Sequence, residues 1–567
     1  MQEFVYYNST PLDFPLPETI KVTSDPSQIL NNDFIVSNSA SVEAEVTAQE
    51  INFYMRNTKD AISEQIKNIE KLYEINAIRF DLSQDMPYEQ EVDNRVLLVA
   101  SEEQEKEFAE KMIADEFDLY VVRPELVIAI DGHIGALEVT IVSNNKEVPV
   151  NVSQIVWFDH DEIAVEQSGS FDPVESSVED VLSILRKNIA HYSFRKMTVY
   201  DKTICQYHER REEICSKCEE VCPTVAIVKH DETKTLEFSQ IDCHGCGGCI
   251  SVCPSGALDY APSNRDSISE ISKEIRGHIP LIIPRNMNIE NLNIELKENV
   301  LPLAVEGEKF LHEGTFLTLA QESGSQIVFY SDFISKGSRD SIDILNQIYQ
   351  KKYGVDAVII AMNETELKEA LEVVNFVENS RYTFNESGAK KREIFAIRLR
   401  NIVGEDDLGV VTTGEHVHYG RVRVNEDKCT LCLVCVGACN VDALIANTED
   451  NTLRINSSVC TMCGYCEVSC PEADCLDIVK DVIELKPSWF KEEVLAKDTL
   501  FECVECGKPF ATTKAISKIA EMMAPIFAVD PIKERTLYCC ADCKPKIMME
   551  SYAANRDQYN NPTVEGR

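Results

Sequence analysis

Sixteen of the chain's 22 cysteines fall into four ordered runs, and the spacing of those runs limits the possible folds more than any other feature. Two runs are regular: Cys243-x2-Cys246-x2-Cys249-x3-Cys253-Pro254 and Cys460-x2-Cys463-x2-Cys466-x3-Cys470-Pro471. A third, Cys429-x2-Cys432-x2-Cys435-x3-Cys439, departs only in having Asn440 where proline usually follows the last cysteine. Proline is not a ligand there, so the departure touches the local turn rather than ligation. In this spacing three thiolates hold one cubane of iron and sulfide, and the fourth reaches across to a second. Cluster iron is soft and prefers thiolate. The short loop also turns backbone amides toward the sulfurs.

The remaining run is irregular. Counting back from Cys222-Pro223 gives Cys218 and Cys215, then Glu212 where a first cysteine belongs. The nearest upstream thiol is Cys205, and a longer loop can deliver it to the same corner. The expected sets are therefore Cys205, Cys215, Cys218 and Cys253 for one [4Fe–4S] cluster, and Cys243, Cys246, Cys249 and Cys222 for its neighbour. Glu212 as an oxygen ligand, or a three-iron cluster, stays open for the first. In the later block Cys429, Cys432, Cys435 and Cys470 form one set, and Cys460, Cys463, Cys466 and Cys439 the other. Zinc is the rival for such thiols, but the four-cysteine run favours iron. His208 and His244 lie beside ligands and read as neighbours rather than ligands, and Cys475 reads as a free thiol.

The tail adds Cys503-x2-Cys506-Gly507 and Cys540-x2-Cys543, with Cys539 adjacent. Paired knuckles of this kind suit one tetrahedral zinc ion. Mononuclear iron of the rubredoxin type is the weaker alternative, because Cys540-Ala541-Asp542-Cys543 lacks the proline and glycine of that second knuckle. Cys539 can replace Cys540 as the ligand.

The chain between these blocks alternates apolar runs with helical patterns, so the fold class is α+β and multidomain. Two bacterial-type two-cluster ferredoxin modules are interleaved with α/β domains, and a small C-terminal zinc-ribbon-like module built on four cysteines follows. The expected segments are 1–200 (mixed α/β, without cysteine), 201–262 (first module), 275–385 (an α/β spacer), 415–486 (second module) and 487–550 (metal-binding tail). In the first segment Arg95–Ala100 reads as a strand and 103–116 as a helix. Ser177 starts another helix, with Leu182, Ile184 and Leu185 on its apolar side. In the spacer, strands at 280–283, 300–305, 327–330 and 357–361 with helices at 309–322, 337–353 and 364–375 predict a parallel sheet with crossovers. Residues after Ser551 read as a polar, frayed end.

Ninety-six acidic against 55 basic residues give a formal charge of −41, which disfavours nucleic acid and suits a basic docking surface on a redox partner. Met1-Gln2-Glu3-Phe4-Val5-Tyr6-Tyr7 lacks a secretory pattern, and no run reaches the roughly 18 apolar residues of a membrane span. A cytoplasmic protein with reduced, metal-bound cysteines is expected. Neither GxGxxG after a strand nor GxxxxGK[ST] occurs, so nucleotide or flavin binding has no local support. No constellation of catalytic acid, base or nucleophile appears either.

Three stretches carry a family likeness: Ile204-Cys205-Gln206-Tyr207-His208 leading to Cys215-Ser216-Lys217-Cys218, then Cys429-Thr430-Leu431-Cys432-Leu433-Val434-Cys435, and Cys503-Val504-Glu505-Cys506-Gly507-Lys508-Pro509-Phe510. Over 201–262 and 415–545 the chain resembles the four-cluster iron–sulfur proteins encoded beside bacterial formate dehydrogenases. The resemblance implies Cys205 as a ligand, since that family carries the same displaced cysteine. It also implies electron transfer linked to formate oxidation, with formate dehydrogenase as the redox partner. A non-catalytic alternative, maturation or scaffolding of a molybdenum or tungsten formate dehydrogenase, follows from the same resemblance and from the large cysteine-free regions.

Overall fold

Four apolar runs organise the middle of the chain. Ile279–Pro284, Val300–Val305, Ile327–Tyr330 and Val358–Ala361 are almost wholly buried, as strands covered on both faces must be. They form one parallel sheet in the order 300–305, 279–284, 327–330, 358–361. Helices Glu313–Ser323 and Lys336–Tyr353 make the crossovers, and Glu364–Val373 follows the last strand. Side-chain caps fix two of their starts: Ser335 accepts from the Ser338 amide and Asn363 from the Glu366 amide. The computed structural model describes residues 4–9, 21–29, 34–39, 42, 44–113, 116–143, 145–159, 167–212, 214–527 and 530–554.

This sheet gathers more of the chain than its own segment. Helix Ile62–Leu82 packs along helix Arg265–Glu274, and the Ile294 amide donates to Asn57 Oδ1 at 3.0 Å. A further helix, Lys391–Val403, follows the spacer segment and is clad by it, with Lys391, Arg392 and Arg398 all buried. Its charged residues disguise it in the sequence as a surface stretch.

A second parallel sheet runs 170–171, 154–157, 95–99, 118–122. Helices Glu102–Lys111 and Val178–Asn188 share a core with one face, and an antiparallel sheet of 127–133, 136–143 and 146–152 covers the other. The first helix stops at Lys111, short of the expected 116. Leu182 and Leu185 are buried as expected, whereas Ile184 is 38% exposed. Val178, Val181, Leu182 and Leu185 make the buried stripe, and Ile184 falls outside it at helical spacing.

The two cysteine blocks repeat one plan. In the first, strands Thr198–Tyr200 and Leu258–Tyr260 pair, hairpin 227–230/235–238 lies between them in sequence, and helices Lys217–Glu220 and Gly248–Val252 lie inside the runs, each ending just before the last cysteine. In the second, Gly420–Val424 pairs with Leu476–Lys480 around hairpin 444–447/452–455 and helices Val434–Ala438 and Tyr465–Val468. The chain divides into two compact units, Met1–Ile402 with Thr413–Val417, and Val403–Thr412 with His418–Arg567. Helix Lys544–Ala554 carries the tail past Ser551, and the rest of the expected polar end lies outside the described residues. Among the described residues no helix is long and apolar enough to cross a membrane.

Candidate metal centres

The cysteine loops owe their shape to left-handed residues. Gly245 and Gly247, Leu431 and Leu433, and Met462 and Gly464 occupy equivalent positions in three runs, each with φ between 52° and 85°. A leucine or methionine held there costs about 1 kcal/mol or more, so the surroundings must enforce it. The conformation turns amides toward sulfur: the Gly245 N–H donates to Cys243 Sγ at 3.4 Å. Cys205 behaves as a first cysteine of the same kind, with the Tyr207 N–H donating to its Sγ at 3.4 Å. Glycine is required at 247, where a Cβ would lie 2.4 Å from Phe310 Cβ.

Each run sends its last thiol across to the other run's set. Cys205, Cys215, Cys218 and Cys253 line one recess of about 360 Å³, together with Tyr200, Tyr207 and Phe238. Cys222, Cys243, Cys246 and Cys249 line a second of about 470 Å³, with Phe238 again in the wall. Glu212 is exposed and lines neither. His244 stands exposed at the rim of the second recess, while His208 pairs with Glu209. In the later block Cys429, Cys432, Cys435 and Cys470 line a third recess of about 360 Å³. Cys460, Cys463 and Cys439, and then Cys435 of the third set, are the sulfurs that act on Cys466, so the fourth group lies beside the third.

Cys475 is a buried free thiol, and it lies beside a cluster site. It is 4% exposed, lines the third recess beside Cys429 and Cys470, and its thiol donates to Asn425 O at 3.7 Å. Its spacing from Cys470 carries no ligand signature, so only the fold reveals the contact.

Burial, then the neighbouring sulfurs, push these thiols up: Cys215 and Cys435 to about 12, and Cys243, despite the Gly245 amide, to about 11. A cation entering such a site must displace protons, and the closely set thiolates then need its positive charge. Four soft donors around a recess, with amides aimed at sulfur, fit a cluster of iron and sulfide.

The tail differs in scale. The sulfurs of Cys503, Cys506, Cys540 and Cys543 all lie within 4.8 Å of one another, and Cys506 and Cys540 are 3.8 Å apart. Metal–sulfur bonds of about 2.3 Å give a tetrahedral edge of about 3.8 Å, so this site fits one ion. Among the described residues it is the one group of this tightness. Burial raises the Cys503 thiol, but amides of Cys540, Glu505 and Cys506 outweigh it and bring it down to about 6. Cys539 stands outside this set: it packs beside Cys503 and donates to Arg535 O at 3.2 Å.

Sequence reasoning missed the groups behind Cys253, where Lys391 and Arg392 reach its backbone from helix Lys391–Val403. No motif marks them.

Comparison with known proteins agrees with the geometry over both cysteine blocks. No curated protein matches the chain. Residues 214–257 match the family model of a 4Fe-4S dicluster domain, and residues 421–471 match a second 4Fe-4S dicluster model. Cys205 lies outside the first match. The chain therefore carries two ferredoxin-type 4Fe-4S dicluster domains, one in each cysteine block, and these imply [4Fe–4S] clusters.

Proposed function

We propose that the chain relays single electrons through four [4Fe–4S] clusters, in exchange with formate dehydrogenase. The observation that carries this reading is the grouping of sixteen cysteines into four sets of four, with the last thiol of each run crossing to the other set. Cys205, Cys215, Cys218 and Cys253 would hold the first cluster, and Cys222, Cys243, Cys246 and Cys249 the second. Cys429, Cys432, Cys435 and Cys470 would hold the third, and Cys439, Cys460, Cys463 and Cys466 the fourth. A bound [4Fe–4S] cluster supplies reversible one-electron storage.

The chain's own residues then do the rest. Thiolates fix the iron, inward amides stabilise charge on sulfur, and Tyr207, Tyr260 and Phe238 keep water from the first two recesses. Phe238 stands in the wall of both, so the two sites share one apolar partition. The tail set Cys503, Cys506, Cys540 and Cys543 would hold zinc as a folding element.

The link to formate dehydrogenase rests on the resemblance of the quoted stretches. Its test is anaerobic: iron-loaded protein is mixed with formate and catalytic formate dehydrogenase while cluster absorption is followed. Rapid bleaching is expected. No bleaching, with dithionite still reducing the clusters, contradicts direct exchange. The scaffold reading is favoured by the two large thiol-free parallel sheets, at 95–171 and 279–361, which exceed what holding clusters needs. A deletion strain whose formate dehydrogenase is loaded and active with an artificial acceptor would exclude it.

A further inference from the structure

The backbone carrying Cys253 is held from behind by three cations. Lys391 Nζ donates to Ser251 O at 2.9 Å and to Cys253 O at 3.1 Å. Arg392 Nε donates to Pro254 O at 2.9 Å, and Arg265 Nη1 to Gly256 O at 3.0 Å. The Lys391 side chain is 2% exposed and Arg392 is 3% exposed. Such burial of an ammonium is costly unless it is paired and hydrogen-bonded, so its placement has a purpose to explain. Helix-end carbonyls need donors, but water or a hydroxyl would satisfy them without importing charge.

The fold makes room for this arrangement. Gly256 has φ +70°, and a Cβ there would lie 2.7 Å from both Lys391 Cβ and Arg265 Nη1. Two of these cations have counter-charges. Glu313 Oε2 is 3.5 Å from Lys391 Nζ, and Asp259 Oδ2 is 3.3 Å from Arg265 Nε. His312 adds no charge, because its Nδ1 accepts from the amides of Gly314 and Thr315, and burial, then Lys391, keep it deprotonated. The positive ends of these pairs therefore face the cysteine backbone.

We propose that Lys391, with Arg392 and Arg265, raises the reduction potential of the cluster held by Cys205, Cys215, Cys218 and Cys253, and makes that cluster the electron sink of the first module. This rests on the ferredoxin reading above. Reduction adds one negative charge to the cluster. A cation fixed a few ångströms behind a ligand, in a medium that screens poorly, stabilises the reduced state more than the oxidised one. Lys391 is thus a positioning residue for charge, not a ligand.

Among the described residues the corresponding corner of the second module has no buried cation, and Lys518, paired with Glu472, is 42% exposed. Lys428 Nζ reaches Ala473 O at 3.3 Å, three residues past Cys470, but its side chain is 45% exposed and its partner Asp474 is 92% exposed. Water and salt screen that pair.

The test uses the full chain, loaded anaerobically, with midpoints followed by electron paramagnetic resonance and iron counted chemically. Lys391→Met should lower the midpoint of one cluster and leave the other three in place. Glu313→Gln, which removes the counter-charge, should raise the same midpoint. Lys391→Arg should hold it near the parent value. Shifts of opposite sign from the two halves of one ion pair mark a charge effect, since loosened packing would move both variants alike. Full iron with unmoved midpoints, or with both variants shifted in one direction, would overturn this inference alone. A parent chain that takes up no cubane iron would overturn the ferredoxin reading and this inference with it. If Lys391→Met does not fold, Glu313→Gln decides by itself: a rise supports the proposal, and no change or a fall refutes it.

Discussion

The two dicluster modules share an order of elements and a ligand grammar, yet they sit in different surroundings. In the first, Cys253 is backed by buried cations, and Tyr260 stacks on Phe310 at 4.6 Å while its hydroxyl donates to Gly245 O at 2.6 Å. In the second, Cys432 is exposed and the Cys470-Pro471 corner meets solvent-facing lysines. Its recess also contains a fifth thiol, Cys475, at the place Ala257 takes in the first module, which instead sets hydroxyls two residues after its thiols: Thr224 beside Cys222 at 3.5 Å and Ser255 beside Cys253 at 3.9 Å. The comparison separates two roles of sequence. Thiol spacing decides which cluster is held. Hydrogen bonds, charge and exposure around the thiols decide at what potential it works.

The largest expected effect separates the second module from the tail. Zinc bound to such a set is worth about 10 kcal/mol or more of local folding free energy. Cys503→Ser should release that metal and open the tail to protease, with the cubane iron retained, because none of the four cluster sets draws a ligand from the tail. The tail does touch the Cys429 loop, where Thr512 Oγ1 donates to Thr430 O at 2.8 Å. Loss of cubane iron together with zinc would therefore show that the second module depends on this cover.

Next comes the framework around the first module. Arg398 is fully buried and pairs with Glu386 and with Glu322, the latter at 3.1 Å. Arg398→Ala leaves the buried Glu386 with only the Thr318 hydroxyl and Glu322 with only Arg276, and should cost about 3–5 kcal/mol, read by denaturant unfolding. The loss should appear in the transition of the unit that holds residues 1–402. Equal weakening of both units would erase the distinction drawn between them.

A smaller effect is expected at Tyr260→Phe, which keeps the stacking on Phe310 and removes one hydrogen bond. It should cost about 1 kcal/mol in the same unfolding measurement. The smallest belongs to Lys428→Ala in the second module, at no more than about 1 kcal/mol, with all four midpoints unchanged. A midpoint shift there as large as that of Lys391→Met would remove the contrast between a buried and a screened lysine.

Much of this was legible in the sequence because thiol spacing is a local property. The sets built on Cys243, Cys429 and Cys460 need only a loop of fixed length, and the parallel sheet needs only uninterrupted apolar runs. Where the sequence left a choice, packing made it. Cys205 rather than Glu212 lines the first recess, and Cys540 rather than Cys539 joins the tail set. Two things were hidden for a different reason. Helix Lys391–Val403 buries charged side chains that periodicity assigns to solvent, and Lys391 and Cys253 are 138 residues apart in the chain. Cys475 became visible only when the strand Leu476–Lys480 carried it under the Cys429 loop.

Four reversible clusters are best sought by an anaerobic redox titration of the metal-loaded full chain, with iron, sulfide and zinc counted on the same sample. Four [4Fe–4S] clusters that reduce and reoxidise reversibly, one of them at a higher midpoint than the rest, and one zinc are expected. Iron and sulfide for fewer than four cubanes would contradict this expectation, as would four clusters that titrate together at one potential.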